Sequence, residues 1–233
     1  MIRKFIFGSY TYDYVLCREE RKTLSLTVNP DLSILVKCPN QATEERIEKF
    51  LKKKWLWLQK QINYFKKFKR TKYHREYISG ESFRYLGKQY MLQIKEDGEN
   101  RVVLSKGKLV LHTAMYTSDA KYNKLLVSRW YSNKTKFVFN ERFEEVLNRF
   151  DYSQKPSLGI RQMNKRWGSY LNNDKILLNP KLIEASRECI DYVITHELCH
   201  MKYKDHDKRF YKLLEQKFPK WEKTKEKLEN YLG

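Results

Sequence analysis

An α+β fold is predicted by two changes of hydrophobic period along the chain. Between residues 12 and 39 the segments YDYVLC, TLSLTV and ILVKCP alternate in steps of two, as half-buried strands do. From Thr43 to about Phe68 the period lengthens to that of a helix, with Ile47, Leu51, Trp55, Leu58, Ile62 and Phe65 on one stripe. Further strands, a second long helix and a mixed last third follow, and 233 residues suffice to bury the core such a fold needs.

Each element has a local reason. Asn29-Pro30-Asp31, between two alternating runs, reads as the turn of a hairpin. The first helix starts at Thr43 with half a capping box, because Arg46 stands where Glu or Gln would complete it, and Glu44 and Glu45 suit its positive end. YISGESFRYLGKQYMLQI, a turn near Glu96 to Asn100, RVVLS and KLVLHT read as three or four strands. His112 alternates into the last of these as a surface or packed residue, and His74 falls in a basic loop. A helix from Thr117 to Phe150 begins after the caps Ser118 and Asp119 and directs Leu125, Trp130, Phe137, Val138 and Leu147 to the core. SLGIRQM and WGSYLNNDKILLNP read as short strands with a turn at Asn172-Asn173-Asp174, and helices run from about Ser186 to the end with a break at Pro219. No internal repeat stands out. The expected organisation is a strand-rich N-terminal region, 1–115, that contains the basic helix of about 43–68, and a mixed region, 116–233, that holds a histidine cluster, in one continuous compact unit.

Composition narrows the setting. The N-terminal apolar run is broken by Gly8, Ser9 and Asp13, so it is no signal peptide, and no run is long enough to span a membrane. Four cysteines without CxxC spacing or an even framework point to a reduced, cytoplasmic protein. Lys and Arg number 48 against 28 acids, a net charge of +20, and the stretch Arg46 to Arg75 holds twelve of the bases against the single acid Glu48. With Trp57, Tyr64 and Phe68 on a second face, this segment has the make-up of a nucleotide- or nucleic-acid-binding surface. The plainer account is a solvated helix face whose aromatics pack inward.

Three of the five histidines lie in THELCHMKYKDHDKRF, residues 195–210. His196 and His200 are one helical turn apart on one face, with Glu197 beside them: the H-E-x-x-H pattern, in which two neutral imidazoles bind zinc and the carboxylate takes a proton from the metal-activated water. By composition alone the pattern would arise with a probability on the order of one in a hundred. A catalytic zinc takes three protein ligands, and His206, at the interval of the longer motif H-E-x-x-H-x-x-G-x-x-H, is the third. Glu215 and Glu222 are the alternatives. The longer motif has glycine where this chain has Tyr203, so the turn must be made differently: the helix ends near Tyr203 and Asp205 caps a new one that begins with His206. Cys199 points away from the metal face as a small core residue. Asp205 and Asp207 are either orienting acceptors for His206 or solvated acids, and Tyr211 is either an oxyanion donor or a packed tyrosine.

IRQMNKRWGSY followed by YVITHELCHMKYKDHDKRF resembles the YgjP-like (DUF45) metallopeptidase family, related to the SprT-like and WLM zinc metalloproteases. The N-terminal hairpin, the helix KKKWLWLQKQI and YISGESFRYLGKQYMLQI extend the resemblance over most of the chain. It implies a zincin-like fold, a mixed sheet with an active-site helix, with one metal ion on His196, His200 and His206 and Glu197 as general base. By the same analogy an edge strand at WGSY receives the substrate backbone, so Trp167, Gly168 and Ser169 lie near the cleft and Arg161 and Arg166 contact substrate. The bland alternative makes Trp167 core and Gly168 a bulge. The family's WGSC is WGSY here, with Tyr170 replacing the cysteine.

The resulting expectation is a cytoplasmic zinc-dependent hydrolase acting on peptides or proteins, with manganese, nickel or cobalt as other metals for the same ligands. Two alternatives stand beside it. One is metal-dependent hydrolysis of nucleotides or other phosphoanhydrides; the other is a nucleic-acid-associated module or protease that uses the basic segment.

Overall fold

The computed structural model describes residues 2–8, 10–29, 31–67, 75–164, 166–171 and 174–232. By their contacts they form two compact units divided after Lys72, each with its own core.

The first unit is a four-stranded sheet and one helix. Strands β1 (Ile2–Phe7), β2 (Tyr10–Glu19), β3 (Ser25–Val28) and β4 (Ile34–Pro39) lie in the order β1-β2-β4-β3, with an antiparallel pair at each edge and β2 parallel to β4 in the centre. The expected hairpin is β3–β4; Leu32 N–H donates to the Asn29 carbonyl at its turn, while Pro30 lies outside the described residues. Strand β1 did not announce itself, because Ile2 and Ile6 put apolar side chains on the exposed face and hide the alternation around buried Phe5. Helix α1 (Glu44–Lys67) packs on β1 and β3 through buried Ile47, Leu51, Leu58 and Ile62, with Trp55 and Phe65 half-buried beside them. Thr43 Oγ1 accepts from Arg46 N–H at 3.3 Å, the expected half box. Phe68 and His74 lie outside the described residues, as does most of the basic stretch beyond Lys67.

The second unit begins with the same topology. Strands β5 (Ser82–Tyr85), β6 (Lys88–Glu96), β7 (Arg101–Ser105) and β8 (Lys108–Thr113) lie in the order β5-β6-β8-β7, again with β6 parallel to β8 and antiparallel edges, and a long helix, α2 (Ala120–Leu147), follows. Both hairpins turn on two residues of positive φ, Leu86-Gly87 and Lys106-Gly107, as type I′ turns require. Asp119 caps α2 by accepting from Tyr122 N–H at 3.0 Å. Trp130 and Val138 are buried as expected, but Leu125 and Phe137 are exposed, and the core is filled instead by Leu126, Val127, Phe139, Phe143 and Val146. The reason is that α2 is covered on two sides, by its sheet and by α3, so its apolar positions do not form one stripe.

A small mixed sheet and three helices complete the unit. Strands β9 (Ser157–Ile160), β10 (Gly168–Leu171) and β11 (Lys175–Leu178) lie in the order β10-β11-β9, β10 antiparallel and β9 parallel to β11. Asn172 and Asn173 of the expected turn lie outside the described residues. After a 3₁₀ turn at Pro180–Glu184 come α3 (Arg187–Cys199), α4 (Lys208–Lys217) and α5 (Trp221–Leu232), with Pro219 between the last two. Strands β5–β8, grouped by sequence with region 1–115, share one core with α3. The mixed α+β class is therefore as expected, and no described helix is long and apolar enough to cross a membrane.

Candidate metal centre

Helix α3 is fixed at both ends. Ser186 caps it, and the β5–β6 turn pins the preceding segment through Leu86 N–H to the Ile183 carbonyl and Gly87 N–H to the Glu184 carbonyl. Along its length Asp191 accepts from Arg142 Nε and an Arg142 Nη, both at 2.7 Å, which ties α3 to α2 in a largely buried pair. At the far end the Tyr152 hydroxyl donates to the Leu198 carbonyl at 2.8 Å. His196 and Glu197 therefore stand on a rigid last turn, and His200 is its C-cap.

His206 returns to the same place by a short route. The chain leaves α3 through Met201 N–H to the Leu198 carbonyl and Tyr203 N–H to the Cys199 carbonyl, and α4 starts at Lys208. Its cap is Asp207, which accepts from the N–H groups of Arg209 and Phe210, both at 2.9 Å; the expected cap, Asp205, and the expected helix start at His206 are each two residues too early. Asp207 ψ is near 180° and suits a cap, so His206 precedes the helix and is not carried on it. None of residues 200–207 has a positive φ, which is why a tyrosine can stand where the longer motif has glycine.

The three imidazoles converge. One nitrogen from each lies within 4.8 Å of the others, and Nε2 of His196 and Nε2 of His206 are 3.0 Å apart. His200 Nδ1 is 3.0 Å from the Tyr203 carbonyl, an acceptor only, so Nδ1 donates there and Nε2 is the nitrogen turned to the side of the other two rings for a metal. Buried Phe210 packs against all three rings at centroid distances of 4.6–5.0 Å. Burial, reinforced by the two neighbouring histidines, pushes His196 down to about 3, and burial lowers His206 as well. Neutral imidazoles brought this close fit a borderline cation such as zinc, for which nitrogen ligands at about 2.0–2.1 Å in a tetrahedron lie about 3.4 Å apart. His196 Nδ1 is buried with no hydrogen-bond partner among the described residues. Glu215 and Glu222, the alternative ligands, are exposed and outside this group.

Glu197 faces the same pocket. Burial raises its carboxyl to about 7, opposed by the Tyr170 N–H and the Arg166 charge. Strand β10 approaches so closely that a Cβ on Gly168 would lie 2.7 Å from Glu197 Cγ and Oε1, so this glycine is required for space and not for its φ. Arg166, Trp167, Gly168 and Ser169 line the pocket together with Glu197 and the three histidines; Arg161 does not. Asn179, 1 % exposed, holds that wall by donating from Nδ2 to the carbonyls of Met163 and Arg166 at 2.7 and 2.9 Å. Tyr211 stacks on Trp221 and is not part of the lining. Cys199 is buried in the core, its thiol pushed up to about 12. Lys204, Lys225 and Glu229 also line the pocket; sequence gave no reason to prefer them among so many charges, because α5 reaches the site only through tertiary packing. Tyr170 supplies a wall and the N–H to Glu197, while its hydroxyl donates to Asp174 at 2.7 Å.

A family model described as YgjP-like, metallopeptidase domain, matches residues 22–231. The chain belongs to the YgjP-like metallopeptidase family. No curated protein sequence matches this YgjP-like chain. Among solved structures it is similar to the metallopeptidase zymogen abylysin of Pyrococcus abyssi, at 20 % identity and TM-score 0.38 over 40 % of this chain and 94 % of that one. It is similar also to the metallopeptidase zymogen jannalysin of Methanocaldococcus jannaschii, at 23 % identity and TM-score 0.36 over 39 % and 92 %. Both likenesses cover less than half of the YgjP-like chain.

Proposed function

We propose that this metallopeptidase-family protein hydrolyses peptide bonds with one zinc ion on His196, His200 and His206 and with Glu197 as general base. The observation that carries the reading is the convergence of three imidazoles beside a buried carboxyl in one pocket. When bound, the metal supplies Lewis-acid polarisation and acidifies water. The chain's own groups do the rest. Glu197, with an affinity for protons near neutrality, accepts one from the attacking water and returns it to the leaving amine. Tyr170 N–H and Gly168 fix where that carboxylate points. Strand β10 is an edge of its sheet and lines the pocket, so a substrate backbone laid along it would present its carbonyl to the site, with Trp167, Ser169 and Arg166 as contacts. The four unpaired cysteines support a reducing compartment such as the cytoplasm.

One observation favours a second reading. Arg166, Lys204 and Lys225 line the pocket and none forms a salt bridge with a described residue, a lining that would also suit a nucleotide phosphate. A parallel assay of unfolded-protein and nucleoside-triphosphate hydrolysis by wild type and Glu197→Gln separates the two. Proteolysis that disappears in the variant supports the peptidase; triphosphate hydrolysis that disappears, with no proteolysis in wild type, overturns it.

A further inference from the structure

Helix α1 and helix α2 hold the same place in one topology, each following a four-stranded sheet with the same strand order and the same parallel central pair. Their outer sides differ. Helix α2 is covered there by α3, whereas the corresponding side of α1 is exposed. Along it run two adjacent rows of side chains one turn apart, Lys49–Lys53–Trp57 and Lys52–Leu56–Lys60, all exposed. Trp57 is 40 % and Leu56 68 % exposed, although the helix has an apolar stripe of its own buried on the sheet. Of these lysines Lys52 pairs with Glu48, the only acid of α1 beyond its first turn.

We propose that this face of α1 binds single-stranded nucleic acid, with Lys49, Lys52, Lys53 and Lys60 along the phosphates and Trp57 as a platform for a base. From Lys49 to Lys60, eleven steps at about 1.5 Å give a track of about 17 Å, long enough for two or three nucleotides. Charge selects a polyanion, and the exposed indole among the lysines selects one with planar bases, since stacking on an aromatic side chain tolerates any sequence. A membrane surface fits less well: a helix that lies in a bilayer interface inserts a broad apolar face, and that face of α1 is already under the sheet, leaving two side chains. An acidic polypeptide would satisfy the lysines and leave Trp57 without a purpose.

The test is fluorescence anisotropy of a short labelled single-stranded oligonucleotide with the full chain over a range of salt concentrations. Binding at low salt should weaken linearly on logarithmic axes, and Lys49→Ala/Lys53→Ala/Lys60→Ala should reduce the magnitude of the slope by about two, at about 0.7 per lost phosphate contact. Trp57→Ala should weaken binding about tenfold and leave the slope unchanged. Both variants should keep the wild-type circular dichroism and thermal midpoint, since these side chains are exposed, and neither should alter hydrolysis. No binding at low salt overturns the proposal. So does an unchanged slope in the triple variant, wild-type affinity in Trp57→Ala, or competition by polyglutamate or phosphatidylserine vesicles as strong as by unlabelled oligonucleotide.

Discussion

Gly168 has no side chain because Glu197 occupies the place one would take. Gly168→Ala must push the carboxylate or the strand aside, and a displacement of this size at a reacting group is expected to lower turnover tenfold or more, about 1.4 kcal/mol of barrier, while metal content stays at the wild-type level. Wild-type turnover in that variant would mean that Glu197 is not the base. Phe210 matters in another way: it is fully buried and touches all three imidazoles, so Phe210→Ala should cost about 3–5 kcal/mol of stability and weaken metal binding, as read by thermal melts with and without chelator. At this scale the sequence was most legible in the spacing of His196, Glu197, His200 and His206, which the fold brings into one pocket. It was silent on Phe210, an ordinary apolar residue until the fold puts three rings around it. Arg161, expected by analogy to contact substrate, does not line the pocket.

The elements are positioned by a few polar ties. Arg142 and Asp191 link α2 to α3, each side chain 11 % exposed, and removing one partner leaves the other buried and charged. Arg142→Ala is therefore expected to destabilise the fold by roughly 3–5 kcal/mol in chemical denaturation, with Arg142→Met/Asp191→Leu recovering most of the loss. Equal stability of wild type and the single variant would show that the tie is not needed. Helices α1 and α2 and the β3–β4 hairpin were legible because period and caps agree there. The break between α3 and α4 was half legible: the missing glycine called for a different turn, but Asp205 and Asp207 are equal candidates for a cap until the backbone angles are known. The core side of α2 was not legible, since a helix covered on two sides has no single stripe to read.

At the scale of the molecule, two units repeat one strand-and-helix topology with different outer surfaces, and only the second carries the histidines. A topology constrains the order of elements and not their residues, which is why no repeat stands out in the sequence. The second unit has its own core, so residues 73–232 alone should unfold cooperatively and bind one zinc per chain; a fragment that is unfolded with zinc present would show that the core of the first unit is required. The proposed metal site on three histidines, the third placed without a glycine, rests on their convergence. Its most direct test is the metal content of purified His206→Ala beside wild type and Glu215→Gln. Wild type and Glu215→Gln should each carry about one zinc per chain and His206→Ala should lose it; full zinc in His206→Ala would mean that another side chain is the third ligand.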